Sequence, residues 1–111
     1  MEKKDYNGWT NYETWCVKLW LDNEQSTSEY WSEQAQEQFE NAEIRAEKYF
    51  SQSEKARFTL ADQLKQQITD EQPEMGASMY SDLLGAALSE VNWNEIANAF
   101  LEEVENYEYQ K

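Results

Sequence analysis

The scarcity of helix-breaking residues is the feature that most restricts what this chain can fold into. Only three glycines and one proline occur in 111 residues. The long polar stretches between them are rich in Glu, Gln, Ala and Lys, which have high helix propensity. No segment of useful length alternates apolar and polar residues as a half-buried strand would. The sequence therefore predicts an all-α fold, a compact bundle of about five helices.

The length predicts a single domain over residues 1–111. Such a chain can bury one modest core, but it is too short for separate cofactor and substrate domains. Hydrophobic residues make up 40% of the chain, which is too much for a disordered acidic tail. We expect residues 1–9 to be a lead-in and residues 72–77, with Pro73 and Gly76, to be an internal loop.

A capping box marks the expected start of the first helix. Thr10 and Glu13 have the Ser/Thr-x-x-Glu spacing in which each side chain binds the other residue's backbone amide. The helix is predicted from about Asn11 to Asn23, with Asn11 and Thr14 on its outer side. Its apolar face, from three- and four-residue spacing, comprises Tyr12, Trp15, Cys16, Leu19 and Trp20.

Capping residues also predict where the next two helices begin. Ser26-Thr27-Ser28-Glu29 is a second capping box, opening a long helix to about Ser51. The third helix begins at a cap on Thr59 or already near Glu54, and the spacing leaves both open. The predicted buried stripe of the second helix is Trp31, Ala35, Phe39, Ala42, Ala46, Tyr49 and Phe50, and that of the third is Leu60, Leu64 and Ile68.

Two more helices are predicted after the loop at Pro73. The fourth is the most apolar, so we expect it at the centre of the bundle. Asn92 is predicted to cap the fifth helix, which is expected to continue to Tyr107. The predicted core residues are Met79, Tyr80, Leu83, Leu84, Ala87 and Leu88 in the fourth helix, and Ile96, Ala97, Phe100, Val104 and Tyr107 in the fifth.

The residue types that carry most enzyme chemistry are missing or isolated. The chain has no His, the commonest general base and metal ligand. Cys16, the only cysteine, cannot form an internal disulfide, and its apolar surroundings favour a buried thiol over a nucleophile. Acidic pairs such as Glu102-Glu103 are more typical of solvated surface than of an acid–base or calcium site. We expect no catalytic residue, no metal and no cofactor, and therefore a protein that is not an enzyme.

The charge restricts the partners and the location. Twenty-three acidic against nine basic residues give a formal net charge of −14, and between Lys65 and Lys111 there is no cation. A protein that binds nucleic acid or anionic membrane needs the opposite sign, so neither is an expected partner. The first residues form no apolar signal run, and no stretch approaches the roughly 20 apolar residues of a membrane span. The sequence predicts a protein of the host cell cytoplasm.

A row of glutamates follows one side of the second helix. Glu29, Glu33, Glu37, Glu40 and Glu47 recur at spacings of three, four or seven, opposite the predicted buried stripe. Each like-charged pair four residues apart costs roughly 0.2–0.5 kcal/mol. The row spans roughly 27 Å, with carboxylates about 5–6 Å apart, which is compatible with mimicry of a nucleic-acid backbone. The alternative is a solubilising helix face.

A second group of glutamates is predicted on the last helix. It comprises Glu95, Glu102, Glu103, Glu105 and Glu108. Two acidic rows could bind a protein whose own site holds several phosphates through Lys and Arg, since the released counterions would favour binding as they do for a duplex. The ten glutamates of both rows are therefore the predicted partner-binding residues.

Two blocks of the sequence resemble a known type of protein. YNGWTNYETWCVKLWLDNE, residues 6–24, resembles the start of small acidic phage and plasmid proteins with an NGWxNYETW block, although Cys16 and Lys18 replace the usual Asn and Ala. VNWNEIANAFLEE, residues 91–103, is similar to a second block of these proteins. They are largely uncharacterised, so the resemblance implies a mobile-element origin. The segment FLEEVENYEYQK is similar in style to the end of a phage anti-restriction protein that mimics DNA.

Two hypotheses for the function remain open. The first is a non-enzymatic counter-defence inhibitor, anti-restriction or anti-CRISPR, which acts as a DNA or RNA mimic. Its partner would be a basic nucleic-acid-binding host protein, namely a nuclease, a restriction enzyme or a CRISPR effector. The alternative is an oligomeric or protein-docking module, including a homodimer, with an aromatic-rich contact face, since five Trp exceed what a small core needs. Either the acidic row or the NGWTNYETW block could be the contact surface.

Overall fold

The computed structural model describes residues 6–45 and 50–108, with the side chains of residues 43–45 left out. Five α-helices occur there: α1 (Tyr12–Asn23), α2 (Gln25–Arg45), α3 (Gln52–Asp70), α4 (Met79–Ser89) and α5 (Trp93–Leu101). No strand forms in this part of the chain, although Tyr6 and Trp9 make one isolated antiparallel bridge. The predicted all-α, single-domain bundle of five helices is confirmed.

The core lies between α2, α3 and α5. Four predicted residues of the α2 stripe are buried, and they pack with residues of the other two helices. The apolar residues of the core are Trp31, Ala35, Phe39, Ala42, Ala56, Leu60, Ala61, Leu64, Val91, Ile96, Ala97, Phe100, Leu101 and Val104. Phe50, predicted in the stripe, lies outside α2 and is exposed. Ala46 and Tyr49 lie outside the described residues.

Capping interactions decide where α3 begins. The Ser51 hydroxyl accepts a hydrogen bond from the Glu54 amide, and the Glu54 carboxylate accepts one from the Ser51 amide, both at 3.1 Å. The helix therefore starts near Glu54, and the alternative cap at Thr59 is wrong. Ser51, predicted to end the second helix, instead caps the third. Likewise α2 begins at Gln25, so Ser26 lies inside the helix and not at its cap.

The buried face of α1 differs from the predicted one. Val17 and Leu21 pack against the core and Thr14 is fully buried, whereas Tyr12, Leu19 and Trp20 of the predicted face are exposed. The ammonium group of Lys18 lies 4.5 Å from the ring centroid of Phe100 and 2.6 Å from the Asp22 carboxylate. The lysine stem can thus cover the core while its charge remains paired. The three- and four-residue spacing of the apolar residues thus predicted the wrong face of α1.

The position of α4 is also different from the prediction. Although it is the most apolar helix, none of its residues is buried, and Met79, Tyr80 and Leu83 are 61–66% exposed. The centre of the bundle is occupied by α2, α3 and α5, so α4 lies at the periphery. Its inner side, with Leu84 and Leu88, borders α1 and the end of α3. The apolar composition correctly predicted a helix but not its place in the bundle.

Candidate partner-binding site

The acidic ridge is defined here as Glu29, Glu33, Glu37 and Glu40, and all four side chains are exposed. At 100° per residue they fall within about 80° of the helix circumference, and the ridge is roughly 16 Å long. Glu29 and Glu40 accept hydrogen bonds from the amides of Gln25 and Gln36, both at 2.8 Å. The predicted row is thus a continuous exposed surface over this length. Glu47 lies outside the described residues.

Polar side chains hold this face of α2 in a fixed orientation. The Gln63 amide of α3 donates to Gln34 at 2.7 Å and accepts from Gln38 at 3.0 Å. One turn towards the start of α2, the Tyr30 hydroxyl donates to Gln67 at 3.0 Å. Since the apolar stripe is buried on the opposite side, rotation of α2 would break both sets of contacts. The ridge is therefore presented on a rigid element.

The glutamates near the end of the chain do not form a second helical row. The helix α5 ends at Leu101, and Glu102, Glu103, Glu105 and Glu108 follow in a turn, where all four are exposed. The predicted continuation of the helix to Tyr107 is wrong. After Leu101 tight turns replace the helix: the Val104 amide donates to the Leu101 carbonyl at 2.9 Å, and the Tyr107 amide donates to the Val104 carbonyl at 3.2 Å. Asn106 has a φ of +74°, a left-handed conformation that does not fit a continuing helix.

Two contacts fix this acidic turn to the bundle. The Tyr107 hydroxyl donates to Asn98 at 2.7 Å, and the Glu108 amide donates to the buried Ser53 hydroxyl at 2.8 Å. Val104, three residues before Tyr107, is also buried. These three anchors place the four exposed carboxylates on a surface of defined shape, although the helical geometry expected for them is absent.

The remaining predicted site residue, Glu95, is engaged within the chain. Its carboxylate accepts a hydrogen bond from the Thr10 amide at 3.1 Å, and the side chain is half-buried. Asn92 caps α5 as predicted, since its side chain accepts from the Glu95 amide at 3.1 Å. Glu95 therefore connects the start of α5 to the segment before α1 and is separate from the exposed carboxylates.

The NGWTNYETW block is mainly structural. Asn7 and Gly8 have φ of +46° and +89°, and the tight turn they make is closed by hydrogen bonds between Tyr6 and Trp9 at 3.0 and 2.6 Å. Positive φ at both central residues is the pattern that Asn-Gly favours in a hairpin turn. The turn brings the Tyr6 ring within 4.9 Å of Trp15, measured between centroids.

A partly buried node of hydrogen bonds joins this block to the start of α5. Asn11, and not Thr10, caps α1: its side-chain oxygen accepts from the Thr14 amide at 2.9 Å and the Thr14 hydroxyl at 2.6 Å. The Asn11 amide group donates to the Glu90 carbonyl at 2.7 Å, and the Asn92 amide donates to the Thr14 hydroxyl at 2.9 Å. The prediction that Asn11 and Thr14 face outward is wrong, because both groups have partners inside the fold.

An apolar groove lies between α1, α4 and the end of α3. It has a volume of about 360 Å³ and is lined by Cys16, Val17, Trp20, Leu21, Ile68, Glu71, Gln72, Pro73, Leu84 and Leu88. Cys16 is thus half-buried at the groove, not fully buried as its predicted face implied. A hydrogen bond between the Cys16 and Tyr12 side chains raises the pKa of the Tyr12 phenol. Sequence reasoning missed this groove because it placed both α4 and the aromatic side of α1 in the core.

Neither a metal site nor a membrane span appears in the residues described. Among residues 6–45 and 50–108, no three His, Cys, Asp or Glu side chains cluster as metal ligands would. In the same part of the chain, no helix has both the length and the apolar character that crossing a bilayer requires. The described residues thus present two kinds of candidate binding surface, the acidic one on α2 and after α5 and the apolar one beside α4.

Comparison of the sequence with known protein families identifies one match. One family model matches residues 2–109, almost the whole chain. The chain belongs to this family, DUF7249, whose function is unknown. No curated protein and no solved structure matches it. This DUF7249 member presents two surfaces that a partner could bind, the acidic ridge and the apolar side of α4.

Proposed function

We propose that this protein is a non-enzymatic inhibitor that binds the basic nucleic-acid site of another protein through its acidic surfaces. The acidic ridge carries the proposal, because four carboxylates are exposed on one side of a rigid helix. No Lys or Arg precedes Arg45 in α2 to neutralise them. Repulsion between the unpaired carboxylates destabilises the isolated helix. A partner that supplies Lys and Arg side chains would relieve this repulsion, which favours binding.

A second group of exposed carboxylates follows α5. Glu102, Glu103, Glu105 and Glu108 lie on a part of the chain that contains no base from residue 66 to residue 110. The partner class that fits is a host protein whose Lys and Arg side chains bind phosphates, such as a nuclease, a restriction enzyme or a CRISPR effector. Together with the resemblance to small phage and plasmid proteins, this favours a counter-defence role in the host cytoplasm.

A capture experiment with two charge-reversed variants tests the proposal. Immobilised protein is incubated with host lysate, and captured proteins are identified by mass spectrometry and eluted with either duplex DNA or salt. The ridge variant is Glu33→Lys/Glu37→Lys/Glu40→Lys. The matched control, Asp62→Lys/Asp70→Lys/Glu74→Lys, changes the net charge equally at three other exposed positions.

We expect DNA and salt to elute the same basic protein, and the ridge variant to lose it. Three exposed ion pairs at about 0.2–1 kcal/mol each correspond to a loss in affinity of roughly threefold to more than a hundredfold. The control should keep most of the binding. Capture that resists salt and DNA, or equal losses in both variants, would contradict recognition by the ridge.

A further inference from the structure

The four most exposed large apolar side chains among the described residues are three on the outer face of α4 and Trp20 of α1. Met79, Tyr80 and Leu83 are 63%, 66% and 61% exposed, and Trp20, across the groove from Leu84, is 67% exposed. From typical side-chain areas, these four exposed side chains present on the order of 500 Å². Patches of this size are at the upper end for a monomer and mark an interaction site.

The apolar face also differs in charge from the rest of the chain. Asp82 is the single charged residue of α4 in a protein of net charge −14. Two copies of such an acidic protein repel each other at most surfaces, but the α4 face, with Asp82 as its one carboxylate, repels a second copy less.

We propose that the α4 face, together with Trp20, is the contact surface of a symmetric homodimer. A standard interface buries about 800 Å² on each partner, and the four side chains supply more than half of that area. A second copy is the occupant that fits, because it is present at equal concentration from synthesis and can cover the face permanently. A two-fold axis would pair the same patch on both chains and close the assembly at two copies. This inference does not depend on the proposed inhibitory function.

Light scattering after size-exclusion chromatography tests the dimer with the full chain, loaded from about 1 to 100 μM, a range that covers the weaker interfaces of this size. We expect a mass of two chains at high concentration. Leu83→Glu should be monomeric, with a dissociation constant raised at least about a hundredfold, since each substitution occurs twice in a two-fold interface. Gln36→Glu adds the same charge on the exposed side of α2 and should remain dimeric.

The variants are expected to fold because Leu83 is an exposed helical residue. Circular dichroism checks this, and Leu83→Ala, which keeps the helix propensity high, should weaken the dimer without adding charge. A single-chain mass for the wild type throughout the range would overturn the proposal. Dimers that survive Leu83→Glu, an equal effect of Gln36→Glu, or a mass that grows beyond two chains would also overturn it.

Discussion

Removal of the Thr14 hydroxyl should lower the free energy of unfolding substantially, because this one group takes part in two hydrogen bonds. Thr14 is fully buried, and Thr14→Val keeps the side-chain shape while deleting one donor and one acceptor. The Asn92 amide, 2.9 Å from the hydroxyl, then loses its acceptor. The Asn11 side-chain oxygen keeps one donor, the Thr14 amide at 2.9 Å.

The magnitude follows from these two losses. A buried donor left without a partner costs about 1–3 kcal/mol, and the lost hydrogen bond to Asn11 adds about 0.5–1.5 kcal/mol. Because the node is only partly shielded from water, we expect the free energy of unfolding to fall by about 2–3 kcal/mol. For a domain of this size, the corresponding fall in melting temperature is roughly 8–20 °C.

Urea unfolding followed by circular dichroism measures the change, with Thr14→Ser as the matched control. Serine keeps the hydroxyl and loses one buried methyl group, which costs roughly 1 kcal/mol. The valine variant should therefore be the less stable of the two. A valine variant within about 0.5 kcal/mol of wild type, the scatter of ordinary surface changes, would refute the role of the node.

Four further substitutions test other parts of the fold by thermal or urea unfolding. Leu64→Ala should lower the free energy of unfolding by about 2–5 kcal/mol because Leu64 is fully buried. Leu83→Ala, measured on the monomer, should lower it by less than about 0.5 kcal/mol because Leu83 is exposed. Equal effects would contradict the positions of α3 and α4. Gly8→Ala should cost about 1 kcal/mol because φ is +89°, and a neutral result would exclude this turn. Glu33→Gln removes two like-charged pairs and should stabilise by about 0.4–1 kcal/mol at low salt only.

Sequence reasoning succeeded where one helix face was clearly apolar and the opposite face clearly charged. In α2, Trp31, Ala35 and Phe39 lie opposite the acidic ridge, so burial and exposure followed from the spacing alone. The cap at Asn92 was also predictable, since a cap depends on neighbouring residues. For α3 the spacing left two starts open, and Ser51, the residue that caps it, was predicted to end α2.

It failed where position depends on distant partners. Thr14 is buried because Asn92, 78 residues away, donates to its hydroxyl, and no local pattern contains that information. Glu95 resembled a free surface carboxylate, yet the Thr10 amide lies 3.1 Å from it. The apolar composition of α4 indicates that its burial would be favourable, but it does not show which helices form the core. In this bundle α2, α3 and α5 form it. The acidic ridge and the apolar face of α4 could therefore be recognised as distinct surfaces only once the positions of the helices were known.

The hydrogen bonds between the NGWTNYETW block and the start of α5 have a consequence for folding kinetics. They join residues 78 to 85 positions apart, whereas α2 and α3 are consecutive helices. Bringing the NGWTNYETW block to the start of α5 closes a longer loop than packing α2 on α3, so it costs more chain entropy. The residues at the start of α5 must also be in place before the block can bind to them. We therefore expect α1 to dock after the folding transition state, so that Thr14→Val accelerates unfolding in stopped-flow experiments and leaves the refolding rate almost unchanged.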